Sequence, residues 1–427
     1  MIANRYDRKF YLPTQFQNVK NSMKNVYKKY LNKFYLCYKD QITCSYTSSF
    51  LGFAGMKMSI VFIPGETDDQ IGVWLPDQRV FMCADDLYRA FPNLYAIRGT
   101  KPRTLNTWVS SLDKMIDLNP ATLVPSHTRP VDGEGRVMKL LTEYRDAIQY
   151  VHDQTLRYIN YGYHPDEIAN MIKLPQHLAS NERLKEFYGT VKWSSKGVFI
   201  EHEGWFSGDP VDIDPLTRGE RAARMVEMIG EDKMLNHAQK AFDKGDWQWA
   251  LELTSYITRA DANNKQAKEL QIETLIALSS KQISNNGANY YMTYAMELNG
   301  LEIPSKQASR TTIIHAFPID YLMEAFPRRF KPETCLDRSD AVQFIFTNPE
   351  SAHHIQLRNG VAILRHAMAL HSTITVRAEE KVWKDLVAQE RTAVMAIASG
   401  DLIIEGGALT FRSFMDCFDR DIQYKIQ

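Results

Sequence analysis

No histidine precedes His127 in this chain of 427 residues; all 11 lie at or beyond that position. A histidine-built metal site is therefore excluded from everything upstream. The chain also lacks net charge. Lys plus Arg and Asp plus Glu number 51 each, so bulk electrostatics give no argument for nucleic acid or an acidic membrane surface. No apolar run approaches the roughly 20 residues that a membrane span needs. The N-terminus as written shows no short basic region followed by an apolar core, so no signal peptide is expected there and a cytoplasmic setting is the expectation. Cysteine is sparse: Cys37, Cys44, Cys83, Cys335 and Cys417 are scattered and odd in number. That pattern favours free thiols over a disulfide framework and is compatible with a reducing compartment.

What is present is ordinary for a folded chain, with 44% hydrophobic and 24% charged residues. At this length two or three domains are expected. Between Pro64 and Pro130, three short apolar runs end in turns that carry metal-competent side chains. IVFIPGE ends at Glu66, RVFMCADD at Asp85 and Asp86, and ATLVPSH at His127. Short apolar runs bounded by turn residues suit buried strands of an α/β sheet, and ligands of such sheets collect beyond the strand ends. A strand continuing through Asp85 would turn Asp86 to the opposite face, which makes Asp86 the weaker ligand candidate. Judged singly, each residue has a duller role: Glu66 as a turn former, His127 as a satisfied loop histidine, Arg98 as a structural ion-pair partner.

The order of motifs resembles the alkyl sulfatase branch of the metallo-β-lactamase fold, zinc enzymes that hydrolyse dodecyl sulfate. The matching residues are Pro64-Gly65-Glu66, Leu75-Pro76 with Arg79, Ala84-Asp85, Asn93-Leu94-Tyr95 with Arg98-Gly99, and Ser126-His127 with Pro130. The resemblance implies that Glu66 ligates a first zinc, Asp85 bridges two ions and His127 ligates the second. It also implies that Asn93 and Arg98 hold the sulfate, a role that suits the planar fork of arginine. The family's His-x-His-x-Asp-His motif, which stands upstream of the Pro-Gly-Glu turn, has no counterpart here. Two carboxylates and one imidazole are too few to hold two ions well, so this polypeptide alone is expected to be inactive or very weak.

The resemblance organises the rest of the chain. Residues 1–47 are a basic, tyrosine-rich extension unrelated to the family, able to form an amphipathic helix with Val26, Tyr30 and Phe34 on one stripe. That stripe is either a nucleic-acid or membrane-surface feature or a solvated tail. Residues 48–177 would be the C-terminal part of an αββα sandwich. Residues 178–311 would be a helical dimerisation domain with paired helices around Ala250 and the aromatic knobs Trp247 and Trp249; His237 lies on a helix surface. Residues 312–427 would be a sterol-carrier-like αβ domain whose sheet uses Phe344, Phe346, Val361, Ile363, Ile374 and Val376. His353 and His354 are placed in a turn there, a minimal metal motif at the surface.

The fold class expected is thus a multidomain α+β and α/β chain. Two functions follow. One is zinc-dependent hydrolysis of alkyl sulfate esters by a homodimer; the other is a non-catalytic dimer that binds amphiphiles or regulates a complete relative. Neither uses nucleic acid or a membrane span.

Overall fold

The computed structural model describes residues 50–53, 56–97, 99–301 and 310–419. The basic extension 1–47 and Arg98 lie outside them. The chain divides into two compact units, Met1–Ile303 and Pro304–Gln427.

The first unit opens with a six-stranded sheet in sequential order: β1 (Phe50–Phe53), β2 (Met56–Phe62), β3 (Ile71–Leu75), β4 (Val80–Ala84), β5 (Thr122–Pro125) and β6 (Val131–Asp132). All neighbours run antiparallel except β4 and β5, which are parallel and are joined across α1 (Leu105–Asp117). The period-two alternation of these strands sends Trp74, Phe81, Cys83 and Leu123 to one face. There they meet the apolar stripe of α1, formed by Leu105, Trp108, Leu112 and Met115, and that of α2 (Glu134–Asn160). The other face carries Phe62, Ile71 and Met82, all exposed. One sheet with one helical layer is half of an αββα sandwich. Among the described residues from Asp86 to Gly99 no helix forms.

Helix α3 (Pro165–Met171) follows, started by a proline in its first turn and a capping box between His164 and Glu167. After α4 (Val191–Glu203) the chain folds into antiparallel hairpins: α5 (Arg218–Ile229), α6 (Glu231–Asp243), α7 (Trp247–Ala260), α8 (Lys265–Lys281) and α9 (Asn285–Leu298). Met234, Ala238, Leu253, Ile257, Ala267 and Leu270 form their core. Ala250 is buried as expected, and His237 is exposed. Neither tryptophan is a buried knob: Trp249 is exposed, and Trp247 lies 3.9 Å beneath the Lys281 ammonium. Among the described residues no helix is long and apolar enough to cross a membrane.

The second unit holds a five-stranded sheet in the order β11-β10-β7-β8-β9, from β7 (Ala341–Thr347), β8 (Glu350–Arg358), β9 (Val361–Arg365), β10 (Ile374–Ala378) and β11 (Leu402–Glu405). Only β7 and β10 pair parallel. Helices α10 (Arg310–Ala316), α11 (Ile319–Ala325), α12 (Glu380–Ala388), α13 (Ala393–Ala398) and α14 (Ala408–Met415) complete the unit. Phe344, Phe346, Ile374 and Val376 are buried in its core, whereas Val361 is exposed at the start of the edge strand β9. His353 and His354 are not in a turn. Both belong to β8, and the alternation of that strand buries His353 on the same face as Ile355 and Leu357. Free thiols were expected, yet Cys335 and Cys417 form a disulfide that closes an 82-residue separation. Count and spacing cannot report which cysteines meet in space. The support that free thiols lent to a reducing compartment is removed for this pair.

Candidate functional site

Two strand exits meet in the first unit. Because β4 and β5 are parallel neighbours, with Ala84 opposite Pro125, their C-terminal ends lie side by side. The Ser126 amide donates to the Ala84 carbonyl at 2.8 Å and locks the two exits together. A register shift between Met82 and Ala84 ends the ladder, and Ala84 itself sits in the left-handed region at φ 49°. Thr128, just after His127, is left-handed too, at φ 75°. Such conformations are uncommon for residues other than glycine and concentrate at functional turns. They aim Asp85 and His127 at each other: Nδ1 of His127 lies 2.5 Å from Oδ1 of Asp85. The histidine side chain is 75% exposed and the carboxylate 31%, so the pair faces solvent. The hydrogen bond to Asp85 raises the His127 pKa, and the negative charges of Asp85 and Glu66 add to that effect.

Glu66 arrives from the turn after β2. The Pro64 carbonyl accepts from Ser111 Oγ on α1 at 2.9 Å, and the Glu66 amide donates to Oδ1 of Asp86 at 3.0 Å. Asp86 is fully buried, and its backbone carbonyl accepts from the Trp108 indole at 3.0 Å. Its carboxylate also accepts from the Gln70 amide. Burial pushes its pKa up to about 8, with the nearby charges of Glu66 and Asp85 acting in the same direction. Asp86 is therefore a brace for the Glu66 turn; because β4 ends at Ala84, strand alternation does not set its direction. Gly65 is required at this point. A Cβ there would stand 2.3 Å from Oδ1 of Asp86 and 2.8 Å from the Trp108 ring.

One residue escaped the sequence reasoning. Arg103 reaches Glu66 Oε1 at 2.8 Å, with both side chains nearly buried, and it also donates to the Asn93 carbonyl. It ties the acidic turn to the segment resembling a sulfate contact. No local pattern marks Arg103, because it lies in a Lys-Pro-Arg-Thr loop and its partners are distant in sequence. Asn93 is fully buried. Its amide N–H donates to the Tyr88 hydroxyl at 2.7 Å, while both side-chain amide atoms lack a hydrogen-bond partner among the described residues. Buried polar side chains nearly always have partners, so this amide is a candidate for a ligand contact. Arg98 lies outside the described residues. The Asn93 segment is braced from the other side: a Cβ on Gly189 would lie 2.0 Å from the Pro92 carbonyl oxygen, so only glycine allows that approach. Arg79 is structural, bridging Glu134 at 2.9 Å and the Asn119 carbonyl.

Asp85 and His127 are thus together, and Glu66 is within electrostatic reach of His127 but engaged with Arg103. Among the described residues, sets of three ligand atoms within 4.8 Å of one another occur only in the second unit. Glu66, Asp85 and His127 do not form such a set, and as they stand these three donors alone do not fit a pair of bridged ions. Cys83 adds nothing, since burial raises its thiol pKa far above the usual range.

Comparison with known proteins gives the context. A family described as alkyl sulfatase dimerisation matches residues 164–300, and one described as alkyl sulfatase C-terminal matches residues 307–426. A linear primary-alkylsulfatase from Pseudomonas sp. is 34% identical over 379 residues, covering 86% of this chain and 72% of the relative. An alkyl/aryl-sulfatase from Saccharomyces cerevisiae is 27% identical over 370 residues, 86% of this chain and 57% of its own length. The solved stereoselective inverting sec-alkylsulfatase from Pseudomonas sp. superposes with a TM-score of 0.82 at 25% identity, covering 90% of this chain and 62% of the other. This chain therefore spans only part of each.

Proposed function

Because the chain belongs to the alkyl sulfatase family, we propose that it supplies the Glu66–Asp85–His127 half of a zinc centre that hydrolyses alkyl sulfate esters, dodecyl sulfate being the test substrate. Water is consumed, and the ester yields the alcohol and hydrogen sulfate. The zinc, when bound by a complete ligand set, would lower the pKa of that water. The chain's own residues do the rest. Asn93 and Arg98 bind the sulfate oxygens, the arginine by paired charge-assisted bonds. Arg103 neutralises and fixes Glu66. The buried Asp86 and Gly65 hold the Glu66 turn.

The observation behind this proposal is the meeting of Asp85 with His127 at two adjacent strand exits, at the positions where the family resemblance places ligands. The exposed apolar residues Trp205, Val211, Ile213 and Met228, which lie in the stretch matched as dimerisation, support a homodimer. The test is dodecyl sulfate hydrolysis and zinc content of the chain beside Glu66→Ala and Asp85→Ala. Whatever weak turnover and zinc the unaltered chain carries is expected to be lost in each variant; measurable turnover unchanged in both variants would remove the assignment.

The small donor set favours a second role, a dimer that carries amphiphiles in its sterol-carrier-like C-terminal domain. Dodecyl sulfate binding with neither metal nor turnover in the unaltered chain would select it.

A further inference from the structure

A different cluster of donors lies in the second unit, away from every residue used above. Register makes it: His354 on β8 pairs with Arg365 on β9, so His353 and His366 are the next neighbours across the two strands. Their Nδ1 atoms stand 2.9 Å apart. Asp320, in the first turn of α11, presents Oδ1 at 3.4 Å from His366 Nδ1 and 3.7 Å from His353 Nε2. One ligand atom from each of the three residues lies within 4.8 Å of the other two.

Hydrogen bonding accounts for the His353 ring, through its 2.9 Å contact with His366 and a 3.3 Å contact from Nε2 to Ser351 Oγ, but not for the approach of Asp320. The two imidazoles can share one proton, but the carboxylate then faces both rings at distances longer than an N–H···O bond of about 2.7–3.2 Å. For a tetrahedral ion with metal–nitrogen bonds of about 2.0–2.1 Å, neighbouring ligand atoms stand about 3.3 Å apart. The observed 2.9 and 3.4 Å bracket that spacing. The second grouping in this unit, His315 with Asp385 and Glu390, needs no such account. Its imidazole Nε2 already lies 3.0 Å from Oδ1 of Asp385, within ordinary hydrogen-bond reach.

The geometry points to a divalent transition-metal site formed by His353, His366 and Asp320. Two imidazoles and one carboxylate with an open fourth position is a donor set that suits zinc, with cobalt and nickel as close substitutes. The His353 side chain is 2% exposed, whereas those of His366 and Asp320 are 43% and 62% exposed. The site is therefore anchored in the core and open on its outer side, where an ion can enter. Burial and the neighbouring imidazole lower the His353 pKa, which keeps that ring neutral and ready to ligate. The ion would clamp α11 to β8 and β9, because Ile319 and Met323 of α11 already pack in the same core.

The test uses the full chain carrying Glu66→Ala, Asp85→Ala and His127→Ala, stripped by chelator and titrated with Co(II) and then Zn(II). One equivalent of tetrahedral Co(II) absorption, displaced by Zn(II), is expected, together with a zinc-dependent rise in Tm. Adding His366→Ala or Asp320→Asn should weaken binding at least ~10-fold and remove the Tm rise, while leaving the metal-free Tm close to the parent. Two variants at exposed positions guard against loss of folding in either. Absence of binding in the parent, or binding that survives both substitutions, would overturn the site. The first-unit donors are absent throughout, so the outcome is independent of the sulfatase proposal.

Discussion

The two units each bring an imidazole and a carboxylate together, but by opposite means. In the first unit the donors stand beyond the strand ends, on left-handed backbone at Ala84 and beside Thr128, and His127 is largely exposed. In the second, His353 sits within β8 and is buried, with His366 beside it through register. Strand-end turns leave a visible mark in the sequence, because a motif of neighbouring residues builds them. A cross-strand pair leaves none, since neither partner's neighbours reveal the register. A family motif therefore points to the first cluster of donors, and only the folded sheet reveals the second.

The comparison is broken most severely by removing what holds each unit. Replacing Cys335 and Cys417 by serine frees a loop of 82 residues, which on the chain-entropy account costs about 4.5 kcal/mol. Hydrogen exchange should then rise across β7 to β11 and stay unchanged in β2 to β5. Arg103→Ala strikes the first unit instead. It removes the Arg103 partner of the nearly buried Glu66 carboxylate and should cost up to about 3 kcal/mol in urea unfolding, while cobalt binding at His353 and His366 is untouched. Arg103→Lys should recover part of that loss.

Smaller effects sharpen the contrast. Gly65→Ala inserts a methyl against Asp86 and Trp108, an overpacking cost of about 1–3 kcal/mol, read as a lower urea midpoint. Per pH unit the Asp86 titration is of similar size, and it accumulates across the window between its unfolded and folded pKa. Its folded pKa of about 8 lies above the unfolded value, so its contribution is fully present below about pH 4 and is lost as pH rises through 8. Relative to Asp86→Asn, the parent should lose up to ~1.4 kcal/mol per pH unit within that window and nothing further above it. A flat difference between the two across pH 4 to 9 would show that Asp86 is ionised in the folded chain.

Much of the fold was legible because it is written in local periods. The apolar stripe of α1, the ending of α2 before Gly162 and the strands β2, β4 and β5 all follow from residues within a few positions of one another. The tryptophans of α7 and the histidines of β8 were misplaced because the same local pattern fits a knob or a surface, a turn or a strand. Among the site residues, Glu66, Asp85 and His127 could be named from their turns, whereas Arg103 could not.

The sequence by itself determined the family, the order of its strands and helices and the chemistry of the strand-end donors, since short-range spacing encodes each of these. Only tertiary structure decided that His127 meets Asp85 across 42 positions, that Arg103 occupies Glu66, that Cys335 finds Cys417 and that His353 faces His366. Those contacts depend on sheet register and helix packing, which bring together residues that share no local signal.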